Sequence, residues 1–315
     1  DLLERLLADI PVRDPRVLLG GRIGEDAAVI DMGHKALVAK TDPITFATDL
    51  IGWYAVQVNA NDVACMGARP RWFLATMLLP EKSPPELAES IFNQITSACG
   101  AMDITLVGGH SEITSGLTRP IVVGQMLGEV ERERIVQTSG AIPGDAVVLT
   151  KGIAIEGTAI LAREAQEALR RADTPDDTIN TAADLLFNPG ISVVNEALAA
   201  CEAVQVHSMH DPTEGGLATA LREIALAARV GIEIDADSIQ IFPACSAICD
   251  ALGLDPLGLL ASGALLITLS EDQVPVLMEA MDAMNCPARV IGRTTDYAWG
   301  LKLRTDMDTI DLPIF

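Results

Sequence analysis

The chain has 315 residues, 49% of them hydrophobic and only 3% aromatic, with a formal net charge of −22. That length suits two domains of ordinary size, and the acidic balance shows no basic stripe of the kind nucleic acid needs to release its counterions. The six cysteines (65, 99, 201, 245, 249, 286) include no CxxC pair, which argues against a zinc site or disulfide framework.

Residues 1–10, DLLERLLADI, have the spacing of a short amphipathic helix closed by Pro11. RVLLGGRIGEDAAVIDMG places a glycine-rich turn ahead of a strand, and KALVAKTDPITF is a second strand. DLIGWYAVQVNANDVACMGA has helical spacing and stops at Gly67 and Pro70. RWFLATMLL is a buried strand by its continuous apolar run. SPPELAESIFNQITSACGAM is a helix, with Ser83 as its N-cap and two prolines in its first turn. ITLVGG and RPIVVGQMLGEV are strands around a loop, HSEITSGLT.

The turn cluster QTSGAIPGD sets a domain boundary near residue 141, dividing 1–140 from 141–315. AVVLTKG starts a new strand, IEGTAILAREAQEALRRA is a helix, and a second helical region runs to about Ala203. VQVHSMHDPTEGGLATALREIALAA reads strand, loop, helix; GIEIDADSI is a strand with period-two alternation. Helix, strand, helix and strand follow to Thr295. Strands are often adjacent in sequence, which favours α+β layers over a doubly wound parallel sheet. No apolar run reaches the ~18 residues needed to span a bilayer. With no signal peptide in the sequence, the expected compartment is the cytoplasm.

Three groups of residues carry chemistry. The first is acidic: Glu25 and Asp26 in GEDAAV, Asp42 in KTDPI, Asp62 in NANDVACMGARP and Glu112 in GGHSEIT. Each lies beside an apolar element. Two carboxylates about 4 Å apart repel by ~4 kcal/mol at an effective dielectric of 20, so acids that converge need a cation between them, and magnesium suits hard oxygen donors. Singly, each acid also reads as a turn-former or helix cap. The second group is the glycines: Gly20, Gly21 and Gly24 in GGRIG, with Gly108 and Gly109 after ITLV. Such pairs let backbone amides approach phosphate oxygens, or simply make turns. Neither set is a dinucleotide fingerprint or a P-loop. The third is HDPTEGGLATAL, where His210 and Asp211 follow a strand and Gly215 and Gly216 open a helix. A helix N-terminus after a strand is an anion or substrate site, with Thr213 or Glu214 as simple caps in the plainer reading.

IGEDAAV, TDPITF, VNANDVACMGARP, LVGGHSEIT and HDPTEGGLATALREIA stand in the order seen in PurM-like proteins. The chain resembles this AIR synthase-related superfamily, which includes AIR synthase, FGAM synthetase, selenophosphate synthetase, thiamine-monophosphate kinase and HypE. DPTEGGLATALREIA, VGIEIDADSI and ALGLDPLGLLASG are most similar to the hydrogenase-maturation protein HypE. The resemblance spans roughly residues 20 to 300 and implies a two-domain α+β fold. In it, the N-terminal domain closes a shared β-barrel with a second subunit of a homodimer, and a C-terminal α+β domain packs behind. It also implies ATP and magnesium (Mg2+) as cofactors, and ATP-dependent phosphorylation of an amide or carbonyl oxygen on a small acceptor. On this chain the metal role falls to Asp26, Asp42, Asp62 and Glu112. Phosphate contacts fall to Gly21, Gly24, Gly108 and Gly109, and the acceptor to His210 and Asp211. His110 stands where many relatives carry an acid, and is a neutral ligand, a general base or a loop residue.

HypE dehydrates a thiocarbamoyl group on its own C-terminal cysteine. This sequence ends DTIDLPIF without one, and Cys286 lies in the turn NCPARV. The expected acceptor is therefore a separate small molecule or a maturation partner protein, in a HypE-like paralogue. The other reading is a nucleotide-binding maturation or regulatory partner without turnover of its own; a purine-pathway synthetase comes third. Neither nucleic acid nor membrane is an expected partner.

Overall fold

Period-two burial builds the first sheet. In β3 (Lys35–Ile44) the inward positions are Ala36, Val38 and Ile44, and in β6 (Ile121–Glu131) they are Val122, Met126 and Val130. These strands belong to a six-stranded sheet with β1 (Val17–Leu19), β2 (Ala28–Asp31), β4 (Arg69–Pro80) and β5 (Thr105–Thr114), in the order β1-β2-β3-β6-β4-β5. The computed structural model describes residues 6–7, 10–22, 24–46 and 49–315; the helix expected over residues 1–10 falls largely outside the described residues.

All pairings in this sheet are antiparallel except β4 with β5. That parallel pair needs a crossover, which α2 (Pro85–Ala101) supplies. Helix α1 (Ile51–Cys65) packs on β3 and β6 and against α2, and every one of its residues except Trp53 is buried. A helix buried on all sides needs no polar face; the buried Asn59, Asn61 and Asp62 on it therefore ask for a specific reason.

Two local expectations are corrected. Ser83 does not cap α2: Pro84 takes the cap position, and the Ser83 hydroxyl donates to the Pro80 carbonyl at 2.8 Å. HSEITSGLT is not a loop from its start, because β5 runs on through Thr114 and pairs with β4 as far as Pro80. Gly109 permits this continuation. A Cβ at Gly109 would collide with the Ala75 backbone, so glycine lets the two strands close up there. The ladder slips by one residue beside Val107, between the Phe73–Leu106 and Leu74–Gly108 pairs.

The second sheet has seven strands in the order β13-β12-β9-β11-β7-β10-β8. They are β7 (Ala146–Thr150), β8 (Ser208–His210), β9 (Val230–Asp235), β10 (Leu266–Leu269), β11 (Ala288–Asp296), β12 (Leu301–Arg304) and β13 (Thr309–Asp311). Its core joins Val147 and Leu149 of β7, Ile232 and Ile234 of β9, Leu266, Ile291 and the apolar face of α7 (Gly216–Ala228), with Leu217, Leu221 and Ile224. Further helices are α3 (Ile155–Glu164), α4 (Gln166–Arg171), α5 (Asp176–Asp184), α6 (Val194–Ala203), α8 (Pro243–Leu252) and α9 (Val274–Ala283). By internal contacts the chain divides into one unit of Asp9–Gly21 and Asp26–Ile135 and another that includes Arg22–Glu25 and Val136–Phe315. Among the described residues no helix is long and apolar enough to cross a membrane.

Candidate functional site

In the N-terminal unit, strand alternation puts Lys40 and Asp42 on one face of β3, and α1, packed on that strand, brings Asp62 to them. The Lys40 Nζ lies 3.1 Å from Asp62 Oδ2 and 3.7 Å from Asp42 Oδ2. Asp62 is 4% exposed and Asp26, which also acts on Lys40, is 8% exposed. Burial alone would push the Lys40 ammonium toward neutrality, but the charges of Asp62, Asp42 and Asp26 outweigh it, so its pKa is raised. Three of the four acids expected to hold a metal thus surround one lysine. Asn59, fully buried on α1, donates to the Asp42 carbonyl at 3.3 Å and to the Ala55 carbonyl at 2.8 Å. The donor set is hard carboxylate oxygen, which fits magnesium.

Glu112 and His110 belong to a different part of the sheet. Asp42 pairs with Gly124, Gly124 with Ala75 and Ala75 with Gly109. Three strand spacings, about 14 Å, therefore separate Asp42 from β5 within one copy of the chain. On β5 the His110 Nε2 lies 3.1 Å from Glu112 Oε2, and both side chains are exposed. The His110 hydrogen bond, followed by that of Thr114, lowers the Glu112 pKa. His110 is a strand residue, not a loop residue, and Gly108 and Gly109 lie inside the same exposed strand. Beside them a groove of about 410 Å³ is lined by Met77, Phe92, Ile95, Val107 and His110.

The first glycine set also serves packing. Gly21 is exposed. Gly24, at φ +81°, lies where a Cβ would come within 2.9 Å of the Glu223 carbonyl oxygen and 3.2 Å of Ala227. The neighbouring Glu25 carboxylate accepts from the Thr138 and Ser139 amides at 3.0 and 3.2 Å. His210 ends β8, shares a 2.9 Å hydrogen bond with Glu223 through Nε2, and is followed by the buried Asp211.

One residue near Asp211 went unnoticed in the sequence. Glu156, in the first turn of α3, is 1% exposed. Burial pushes its pKa up to about 7; hydrogen bonding from Ser262 opposes this, and the charges of Glu214 and Asp211 add to it. Its Oε1 has no hydrogen-bond partner among the described residues. A carboxyl whose folded pKa lies above its ordinary value stabilises the protein while protonated. That contribution is complete below about pH 4.5 and is lost as pH rises through about 7. Glu156→Gln should remove this dependence. Urea unfolding is expected to show the variant gaining about 3 kcal/mol on the parent protein between pH 4.5 and pH 8; a gap that does not change with pH would contradict it.

Two family models match, AIR synthase related protein N-terminal domain over residues 24–130 and AIR synthase related protein C-terminal domain over 143–298. A hydrogenase expression/formation protein of Methanocaldococcus jannaschii is 28% identical, over 99% of this chain and 94% of its own. The carbamoyl dehydratase HypE of Cupriavidus necator is 31% identical, over 82% of this chain and 73% of its own. Among solved structures, hydrogenase maturation protein HypE in complex with ATP superposes with a TM-score of 0.72 at 22% identity, covering 100% of this chain and 95% of that one.

Proposed function

From the premise that the chain belongs to the AIR synthase-related family, we propose that it is an ATP-dependent enzyme that activates a small oxygen acceptor, an amide or a carbonyl, by phosphoryl transfer. The observation that carries this reading is the cluster of Asp26, Asp42 and Asp62 around Lys40. A protein of net charge −22 repels a polyphosphate unless cations stand between them. Asp26, Asp42 and Asp62 would hold magnesium, which neutralises phosphate charge when bound. The similar HypE structure that holds ATP supports the choice of nucleotide.

In this reading His210 and Asp211 handle the acceptor, together with Glu156. The His210 imidazole is oriented by Glu223, as a base or hydrogen-bond donor must be. Glu156, with a pKa near 7, both takes up and gives back a proton at neutral pH. His110 and Glu112 enter the proposal as a pair on β5, the strand we place at the shared barrel of a homodimer. Its exposed Val107 and Ile113 support that assignment.

A second reading, a nucleotide-binding maturation partner without turnover of its own, is favoured by the similarity to a hydrogenase expression/formation protein. Single-turnover reactions with ATP, Mg2+ and a panel of carbamoyl, amide and carbonyl compounds separate the two. Acceptor-dependent formation of ADP or AMP is the expected result; ATP binding with no acceptor-dependent turnover would leave the second reading standing.

A further inference from the structure

We infer that Phe315 is a positioning residue for Glu156: its ring latches residues 257–262, the segment that covers this carboxyl, and an acceptor reaches Glu156 only when that segment lifts. The inference deepens the proposed function and rests on it for the purpose of Glu156, while the latch itself is a property of the folded chain without nucleotide or acceptor.

A carboxyl that handles an acceptor must be reached, yet Glu156 is buried. Against it lies the segment between α8 and β10. Ser262 hydrogen-bonds the Glu156 carboxyl, and the Gly157 amide donates to the Leu260 carbonyl at 2.9 Å. A Cβ at Gly157 would come within 2.5 Å of the Leu259 side chain and 2.9 Å of the Leu260 carbonyl oxygen, so glycine lets the segment settle on the first turn of α3. A second helix start holds the same segment. The Ala218 amide of α7 donates to the Leu257 carbonyl at 3.1 Å. A Cβ at Gly216 would come within 2.5 and 2.6 Å of the Leu257 and Leu259 carbonyl oxygens. The amides of a first helical turn accept water in place of such partners, so these pins open at small cost.

Phe315 adds an apolar contact from the outside. A Cβ at Gly258 would collide with the Phe315 ring, so the ring lies directly on the Gly258 backbone. The chain that leads to the ring is anchored. Leu312 is buried in the core of this unit and its amide donates to the Leu301 carbonyl at 3.0 Å. The Arg222 guanidinium, on α7, reaches the Leu312 and Pro313 carbonyls at 3.5 Å. Phe315 itself is half exposed, and it leaves Gly258 without opening the core. Such a contact keeps the segment down at rest and still lets it rise.

The test labels carboxyl groups of the full chain with a water-soluble carbodiimide and glycinamide, at low conversion and without nucleotide, and reads each site by peptide mass spectrometry. Asp145, buried in the same unit and bonded to Ile142 and His207, is the internal control. Phe315→Ala is expected to speed labelling of Glu156 on the order of 5-fold, as the loss of half a ring's burial allows, and to leave Asp145 unchanged. Phe315→Leu, which keeps the apolar bulk, should behave as the parent protein does. Gly258→Ala pushes the ring off from the other side; it should match Phe315→Ala, and the double variant should add nothing further. Unchanged labelling of Glu156 in Phe315→Ala would overturn the inference. So would an equal rise at Asp145, which marks general loosening, or additive effects of the two substitutions. Because neither nucleotide nor acceptor is present, this result is separate from the single-turnover reactions. Acceptor-dependent turnover with unchanged labelling would end the latch and leave the proposed function, and faster labelling without any turnover would do the reverse.

Discussion

Lys151→Met is expected to destabilise the protein by about 3–5 kcal/mol, the usual cost of leaving one member of a buried ion pair alone. Lys151 follows β7 and is 7% exposed. Its Nζ lies 2.6 Å from Glu196 Oε1 and donates to the carbonyls of Ser192 at 2.6 Å and Gly190 at 3.3 Å. Methionine fills the space of the stem but leaves the Glu196 carboxylate buried without its counter-charge, and removes the donor from both carbonyls. The Cys286 thiol, 3.8 Å from Glu196 Oε1, is no substitute: burial and the Glu196 charge push its pKa up to about 12, so it stays a weak neutral donor. Adding Glu196→Leu should recover more than half of the loss, because a well-packed apolar pair costs little where a lone charge costs much. Urea unfolding of the two variants measures both numbers, and a single-variant loss below about 1 kcal/mol would show that the pair carries little.

Asp62→Asn is expected to weaken ATP binding in the presence of Mg2+ on the order of 100-fold, from the charge lost at about 4 Å in a half-buried site. Stability should move by only about 1 kcal/mol, since Asp42 and Asp26 still surround Lys40. That contrast between affinity and stability separates a ligand-binding acid from a structural one. Isothermal calorimetry on Asp62→Asn and Asp42→Asn provides the check, and unchanged affinity in both would take these residues out of the site.

The parts of the site that were legible in the sequence are those where a residue type conflicts with its surroundings. Asp62 stands in a helix whose residues are mostly apolar and buried, and an acid there needs a partner. Lys40 was not legible. A lysine two residues before an acid in a strand reads as a solvated face, and only the packing of α1 over β3 turns it inward. Glu156 was hidden for a related reason, because an acid in the first turn of a helix is what the helix dipole favours in any case. The glycine pair misled in the opposite direction. Gly108 and Gly109 read as punctuation, and whether a strand continues through them depends on the close approach of Ala75, a neighbour far away in sequence. The α+β class was legible because runs of period two and period 3.6 follow one another without the regular alternation of a parallel sheet.

The place of β6 has a consequence for synthesis. It lies between β3 and β4, yet β4 ends at Pro80 and β6 begins only at Ile121. As the chain leaves the ribosome, β1, β2 and β3 can pair early, and β4 and β5 can pair through α2. The two halves have no strand to join them until Glu131 has emerged. During that interval β3 and β4 each present a bare ladder of amides and carbonyls, and both edges are shaped to receive the same strand. The N-terminal unit therefore closes like a zip drawn from its middle. A nascent chain that stops short of β6 carries two open edges, the arrangement that invites pairing between unfinished copies instead of within one.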